Sequence, residues 1–314
     1  MNCCRSSLYC IVPPYLLREI IENGTPEQRQ QALRNIVSAE AVRVQREVIA
    51  KEGPPVPLME AAPGGGLTRV IHTAENGSSL PGREIRGEGG APTGDPAADE
   101  AYDGAGATYA LFHEVFERDS IDGAGMTLDS TVHYRTGYDN AFWNGRQMVY
   151  GDGDEDLPES QRIFNRFTIA VDIIGHELAH GVTQHTANLI YQGQSGALNE
   201  SMSDVFGSLV KQRLLGQSTA EADWIIGEGL FTSNVNGIGI RSMKEPGTAY
   251  NDPVLGKDPQ PSHMRNYVQT QSDNGGVHIN SGIPNHAFYA TATNLGGYAW
   301  EKAGLIWYVT LKDK

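Results

Sequence analysis

Two histidines and a glutamate share the five-residue run H-E-L-A-H at residues 176–180. On a helix, His176 and His180 stand one turn apart on the same face, with Cβ atoms about 5–6 Å apart, so both imidazoles can bind one metal ion. The flanking residues 171–175 and 181–182 are apolar on one side, which favours a buried helix. Glu177 lies too far round that helix to bind the same ion. The run therefore predicts a metal site with a general base beside it.

A catalytic zinc ion held by two histidines needs one further protein ligand and keeps its fourth position for water. About twenty residues on, a second helix is predicted to open after Gly196, with Glu200 and Asp204 on one face. Glu200 is predicted to complete the metal site, and Asp204 to hold a ligating imidazole by its other ring N–H, with Asn199 also supporting the ligands. The alternative is two solvated acids on a surface helix.

Seven blocks of sequence carry a family resemblance. They lie at residues 139–145, 148–154, 176–184, 190–192, 195–204, 241–243 and 273–282. In these blocks the chain resembles the thermolysin-like zinc metallopeptidases (the M4 peptidase family), and among them the protealysin group with its short propeptide. The resemblance implies an α+β fold of two lobes, β-rich at the N-terminus and mainly helical at the C-terminus, with the zinc helix between them.

The resemblance also implies a zinc endopeptidase in which Glu177 activates a zinc-bound water. Tyr191 and His278 would stabilise the oxyanion, with Asp273 orienting the His278 ring. Asn140, the Ala141 backbone and Arg241 would grip the substrate backbone. The implied pocket for the residue after the cut is apolar and is lined by Phe164, Phe167, Ile173, Ile226 and Ile240. Cleavage on the amino side of bulky hydrophobic residues is expected, although any one of the five could equally be plain core.

Residues 1–55, the first part of the chain, are predicted to form a separate N-terminal segment, called the leader below. The segment P-P-Y-L-L at residues 13–17 precedes Thr25-Pro26-Glu27-Gln28, a capping box with proline at the first helical position. Residues 53–57 and 62–66 form a Pro/Gly-rich break, so processing is expected around residues 50–62. The predicted units are residues 1–55 as a protealysin-type propeptide with linker, 56–170 as the β-rich lobe and 171–314 as the zinc helix with the helical lobe.

The resemblance implies that the leader covers the active site as an intramolecular inhibitor. The alternative is an ordinary N-terminal helix of the catalytic domain. Cys10 could in principle reach the metal as a thiolate, but a small apolar cysteine with no metal role is the preferred interpretation.

The remaining pattern agrees with an α+β protein. Short alternating runs such as residues 69–72 and 130–134 predict a partly antiparallel sheet, with one helix near residues 108–116. From residue 164 onward helical periods dominate, notably at residues 204–215 and 287–295.

The composition disfavours negatively charged partners. The chain has 314 residues and a formal net charge of −14, with a pI near 5.0, so nucleic acid and anionic membranes are disfavoured. No apolar run reaches the length of a membrane span. The three cysteines lie in the first ten residues, and the apolar stretch there is too short for a secretory signal. We expect a secreted monomer without a recognisable signal peptide that acts on proteins or peptides, with a cytoplasmic protein as the alternative.

Calcium is the main departure from better-known family members, whose paired calcium site uses a carboxylate cluster. Lys211 and Ile225 stand at two of those places, with only Asp172, Asp223 and Glu228 kept nearby, and Ile238 stands where another calcium aspartate would fall. A lysine repels divalent cations and removes an oxygen ligand. Calcium binding therefore remains open, but the paired site is expected to be lost.

A second hypothesis is a catalytically silent protein that keeps the fold and the metal. It is prompted by the end of the chain at residues 307–314, inside a predicted helix that continues in relatives. Glu177, Tyr191 and His278 together favour the enzyme, because a binding module needs none of them.

Overall fold

The computed structural model of the protein describes residues 9–38 and 66–313. The predicted processing region at residues 50–62 lies outside this part of the chain, as do two of the three cysteines.

A mixed sheet forms the N-terminal lobe. Its strand order is β1-β5-β6-β4-β2-β3, in which β2 runs parallel to β4, β4 runs parallel to β6, and the other pairs are antiparallel. The strands are β1 (Tyr9–Cys10), β2 (Arg69–Thr73), β3 (Arg83–Arg86), β4 (Leu128–Val132), β5 (Ala141–Trp143) and β6 (Met148–Tyr150). Four shorter strands follow as two hairpins: β7 (Ile225–Ile226) with β8 (Arg241–Ser242), and β9 (Asn251–Asp252) with β10 (Gly256–Lys257). The predicted partly antiparallel sheet is confirmed, and strand β1 comes from the leader.

The leader contributes two helices, α1 (Pro14–Asn23) and α2, described over residues 26–38. The predicted capping box is present at the start of α2. The Thr25 N–H donates to Gln28 Oε1 at 2.8 Å, and the Gln28 N–H donates to Thr25 Oγ1 at 3.3 Å. Leu16, Leu17 and Ile20 of α1 are buried in the main hydrophobic core, so the leader is packed against the rest of the protein.

Helix α3 (Pro96–Phe116) begins well before the predicted residues 108–116, so that prediction was too short. Its start is marked by Asp95, whose side chain accepts the N–H groups of Ala97 and Ala98, and by proline at the first helical position. The first half of α3 is rich in Ala and Gly. It therefore lacks the large apolar residues whose period indicates a helix.

The helical lobe is built on α4 (Val171–Gln184) and α5 (Gly193–Leu215), followed by α6 (Asp273–Asn280), α7 (Gly282–Leu295) and α8 (Ala303–Lys312). Helix α5 begins one turn before the predicted opening at Gly196, and α7 begins before the predicted residue 287. The predicted α+β fold, with the motif helix between a β-rich lobe and a helical lobe, is confirmed. No helix in the described residues is both long and apolar enough to traverse a bilayer.

Helices α4 and α5 cross at backbone contact distance, because each has a glycine at the crossing. A Cβ atom on Gly207 would lie 2.3 Å from the Asp172 carbonyl oxygen, and one on Gly175 would lie 3.0 Å from the Gly207 Cα. Any side chain at Gly207 would therefore force the helices apart. This crossing sets the distance between the motif of α4 and the carboxylates of α5.

Candidate metal centre and substrate cleft

His176, His180 and Glu200 meet in one fully buried cluster, with ligand atoms within 4.8 Å of one another. The two histidine Nε2 atoms lie 3.1 Å apart. A Glu200 carboxylate oxygen lies 3.5 Å from each of these nitrogens. The sequence prediction that these three residues come together is thus met by the geometry.

The other ring nitrogen of each histidine is already used. His176 Nδ1 lies 2.8 Å from Asp204 Oδ1, and because a carboxylate only accepts, that nitrogen carries the proton. His180 Nδ1 lies 2.8 Å from Asn199 Oδ1, whose own NH₂ group donates to the Leu189 carbonyl. Asp204 and Asn199 therefore turn the unprotonated Nε2 lone pairs of both rings toward Glu200.

Such an arrangement fits a zinc ion. Two lone pairs and a carboxylate that converge in a buried space repel one another unless a cation lies between them. Zinc–nitrogen distances of about 2.0–2.1 Å at tetrahedral angles place two ligand atoms about 3.3 Å apart, close to the separations found here. Glu200 Oε2, moreover, is buried and makes no hydrogen bond with the described residues. The donor set of two imidazoles and one carboxylate is also one that zinc prefers.

Glu177 follows the first of these histidines and is fully buried. Its Oε2 accepts the Trp143 main-chain N–H at 2.9 Å, across from strand β5. The carboxylate is thereby held between the motif helix and strand β5.

Tyr191 and His278 lie beside Glu200. The Tyr191 hydroxyl donates to Glu200 Oε1 and lies 3.2 Å from His278 Nε2. Asp273 accepts from His278 Nδ1 at 2.6 Å. Burial by itself lowers the pKa of His278, but the charges of Asp273 and Glu200 outweigh it and raise that pKa to about 9. These contacts favour the protonated form of His278, in which the Nε2–H can donate.

Arg241 connects the metal cluster to the cleft. Its guanidinium is fully buried and pairs with Asp204 through two hydrogen bonds of 2.8 and 2.7 Å. Burial tends to raise the pKa of Asp204, but the charge of Arg241 and the contact with His176 hold it below its ordinary value. A third donor, Nη1, lies 3.2 Å from the Ile11 carbonyl of the leader.

Asn140 and Ala141 also hold the leader. Asn140 Oδ1 accepts the Val12 N–H at 3.0 Å. The Ala141 carbonyl accepts the Ile11 N–H at 3.3 Å. The three groups expected to grip a substrate backbone are thus occupied by residues 11–12 of the chain itself.

All five residues of the predicted specificity pocket are fully buried. They belong to one hydrophobic core, which also contains Ile11 of the leader. Cys10 packs instead with the apolar cluster formed by Tyr134, Tyr138, Phe142 and Val149.

Sequence reasoning missed two side chains behind the metal cluster. Ser203 Oγ lies 3.0 Å from His180 Nδ1, and the Asn285 amide donates to Asp204 Oδ2 at 2.8 Å. Ser203 could have been found, because it stands four residues after Asn199 on the same helix face. Asn285 lies on α7, and no local spacing connects it to α5.

Comparison with known proteins agrees with this geometry. The model of the thermolysin metallopeptidase catalytic domain matches residues 71–184, and that of the thermolysin metallopeptidase alpha-helical domain matches residues 187–314. The chain belongs to the thermolysin metallopeptidase family. A third model, the protealysin propeptide, matches residues 9–36, so this member of the family carries a protealysin-type propeptide.

Several relatives cover nearly all of the chain. An extracellular metalloprotease of Pectobacterium carotovorum is 55% identical over 304 residues, which is 97% of this chain and 84% of that protein. Protease PrtS of Photorhabdus is 49% identical over 97% of this chain and 81% of its own length. In structure, the chain resembles the precursor of protealysin from Serratia proteamaculans, with a TM-score of 0.86 and 55% identity over 98% of this chain and 87% of that one. The chain is therefore a thermolysin-like metalloprotease, from a zinc-dependent family.

The propeptide of this metallopeptidase is also anchored away from the metal cluster. On α2, Gln31 Nε2 donates to Asp139 Oδ1 at 3.1 Å and to Asp154 Oδ1 at 2.7 Å, and Asn35 Nδ2 donates to Asp139 Oδ2 at 2.8 Å. Burial, followed by the charge of Asp154, raises the pKa of Asp139 well above its ordinary value. Burial also raises the pKa of Asp154, to about 6, despite the N–H groups of Phe164 and Ile163.

The raised pKa values of Asp139 and Asp154 predict that the free energy of unfolding of the proenzyme is larger at acidic pH. A carboxyl group whose folded-state pKa is raised contributes stability below its unfolded pKa near 4 and loses that contribution as the pH rises past its folded pKa. Asp139→Asn replaces a protonated acid by a neutral amide. Relative to its parent, this variant should therefore gain stability as the pH rises from 5 to 8.

The measurement is urea unfolding of the proenzyme across that pH range, in a Glu177→Ala background that prevents self-digestion. If the stability curves of Asp139→Asn and its parent run parallel, the pKa values of the two carboxyl groups are the same in the folded and unfolded protein, and the prediction is wrong.

Proposed function

We propose that this chain is a zinc-dependent neutral endopeptidase made as a proenzyme, which hydrolyses peptide bonds on the amino side of bulky hydrophobic residues. The observation that carries the proposal is the buried convergence of His176, His180 and Glu200, whose two Nε2 atoms lie 3.1 Å apart. These three residues would hold the zinc ion, which supplies a Lewis acid that polarises a carbonyl and lowers the pKa of a water molecule to about 7.

Glu177 is the general base in this proposal. It follows His176 in the sequence, and the Trp143 N–H fixes its carboxylate. It takes a proton from the attacking water and passes it to the leaving nitrogen. Tyr191 and the protonated His278 donate to the carbonyl oxygen as negative charge develops on it. Asp273 keeps the His278 ring oriented and charged.

Replacing the base should separate catalysis from metal binding. Glu177→Ala should lower the rate of peptide hydrolysis by roughly 10²–10⁴-fold, yet zinc should still bind stoichiometrically because no metal donor is removed. His180→Ala should lose both zinc and activity. The measurements are casein or furylacryloyl-peptide hydrolysis with metal analysis of the same samples. Activity that persists in 1,10-phenanthroline, or in Glu177→Ala, would exclude this mechanism.

Specificity in the proposal rests on the apolar pocket. Phe164, Phe167, Ile173, Ile226 and Ile240 share one buried core with Ile11, so the residue after the cut is expected to be large and apolar. Arg241, Asn140 and Ala141 hold the backbone on either side of that residue, as they hold residues 11–12.

Peptides that differ only at the residue after the cut should show this preference. Burying a leucine or isoleucine side chain contributes about 1.5–3 kcal/mol, so kcat/KM should exceed that of the glycine peptide by roughly 10- to 100-fold. An aspartate there should be worse than glycine, because its charge is buried without a partner. Mass spectrometry of the products locates the cut, and a matched control moves the leucine by one residue. A cut that stays in place when the leucine is moved by one residue would contradict the proposal.

Calcium is not expected to be needed where the paired site of other family members would lie. Lys211 Nζ bonds to Asp223 Oδ2 at 2.5 Å and to Glu228 Oε2 at 2.9 Å, and lies 3.7 Å from Asp172 Oδ2. Burial alone lowers the pKa of Lys211, but the charges of its acidic partners raise it above its ordinary value. The ammonium group therefore supplies the positive charge that calcium would bring.

Calcium chloride should accordingly leave the melting temperature of the proenzyme unchanged. Lys211→Met should lower stability by about 1–2 kcal/mol, because the buried Asp172 carboxylate loses its counter-charge while the other two partners stay partly hydrated. Thermal unfolding of the Glu177→Ala proenzyme with and without Lys211→Met measures both effects. A clear rise in melting temperature with calcium in the Lys211 protein would contradict this reading of the site.

The relatives named extracellular metalloproteases support a secreted enzyme. The net charge of −14 supports a protein that does not bind nucleic acid or anionic membranes. We further propose that it acts as a monomer, and that residues 1–55 form the propeptide with its linker.

A further inference from the structure

The leader runs through the cleft with a defined polarity. Strand β1 pairs antiparallel with β5, with Tyr9 opposite Trp143 and Cys10 opposite Phe142. Past Cys10, the Ile11 N–H is bound by the Ala141 carbonyl and the Val12 N–H by Asn140 Oδ1. The backbone is thus held on both sides of the bond that joins Cys10 to Ile11.

The carbonyl of that bond faces the metal cluster. Cys10 O lies 3.0 Å from His278 Nε2, which is itself 3.2 Å from the Tyr191 hydroxyl and 3.5 Å from Glu200 Oε2. The next carbonyl, that of Ile11, is bound instead by Arg241. Donors that stabilise an oxyanion must lie about 2.7–3.1 Å from the reacting oxygen, and the Cys10 oxygen meets this condition at His278.

The side chains fit the same register. Ile11 is fully buried in the core that contains the pocket residues Ile173, Ile226 and Ile240. Cys10 packs in the separate apolar cluster with Tyr134, Tyr138, Phe142 and Val149. An isoleucine therefore follows the bond in question, as the proposed specificity requires.

We propose that the Cys10–Ile11 peptide bond is a cleavage site for the enzyme's own active centre, additional to the processing site in the linker. This inference rests on the proposed endopeptidase function. The oxygen of water adds to the Cys10 carbonyl carbon and Glu177 takes the water proton. The C–N bond then breaks, and its electron pair and the proton held by Glu177 go to the Ile11 nitrogen. The hydroxyl proton of the new carboxylic acid is transferred to the same nitrogen. The products are a Cys10 carboxylate and an Ile11 ammonium group, so water is the only co-reactant.

The packed leader explains why such a bond can stay closed in the proenzyme. On one side of the bond β1 is paired with the sheet, and on the other α1 and α2 are packed on the catalytic lobes. The two product ends stay side by side, so re-formation of the bond competes with its opening. Once the linker is cut and the leader separates, the break becomes permanent. The leader then lacks the strand that spans the cleft and no longer re-inhibits the enzyme.

The test follows all leader fragments by intact-mass spectrometry as the purified wild-type proenzyme matures. A fragment that begins at Ile11 and a second that ends at Cys10 are expected to appear with the rise of casein hydrolysis. Ile11→Leu should keep this cut, whereas Ile11→Asp should slow it at least ten-fold. The wild-type fragment map decides the matter even if a variant fails to fold.

A second readout does not depend on turnover. In the Glu177→Ala proenzyme, hydrogen exchange of the leader backbone should increase at least ten-fold for Ile11→Asp and stay unchanged for Ile11→Leu. Casein hydrolysis by a mature enzyme whose leader fragments all keep the Cys10–Ile11 bond would overturn this inference alone. Absence of casein hydrolysis from the matured, zinc-loaded enzyme would overturn the proposed function and this inference with it.

Discussion

The close crossing of α4 and α5 is the constraint on which the site depends. Gly207 lets the backbone of α5 approach α4 so nearly that a Cβ atom would lie 2.3 Å from the Asp172 carbonyl oxygen. Only at this separation can Glu200, a short and buried side chain of α5, come within 3.5 Å of the imidazole nitrogens of α4. The metal donors are therefore positioned by backbone contact between helices, and side-chain flexibility contributes little to their geometry.

Asp204 makes the metal cluster and the cleft one hydrogen-bonded unit. Its Oδ1 is shared by His176 Nδ1 and Arg241 Nη2, and its Oδ2 by Arg241 Nε and the Asn285 amide. Arg241 in turn binds the Ile11 carbonyl. One carboxylate therefore orients a metal ligand and the guanidinium that grips the backbone in the cleft. Loss of Asp204 would leave Arg241 as a buried cation without its partner, which is far more costly than the loss of one hydrogen bond.

How much of the site the sequence predicts depends on the distance between its parts along the chain. His176 and His180 follow from helical spacing, because they stand one turn apart on α4. Glu200 stands on α5, the next helix along the chain. Tyr191, His278 and Arg241 have no such spacing and were identified through family resemblance. The helical ligand regions were predicted well, whereas the first half of α3 was missed because small residues carry no apolar period. Contacts such as that of Asn285 with Asp204 join helices that only the folded chain brings together.

One short segment of the catalytic lobe contacts two parts of the propeptide. Asp139 accepts from Gln31 of α2, the next residue, Asn140, accepts the Val12 N–H, and the Ala141 carbonyl accepts the Ile11 N–H. Three successive residues thus bind both residues 11–12 in the cleft and helix α2 beside them. A shift of this segment that weakens one contact weakens all three, so departure of the strand and of the helix should be cooperative.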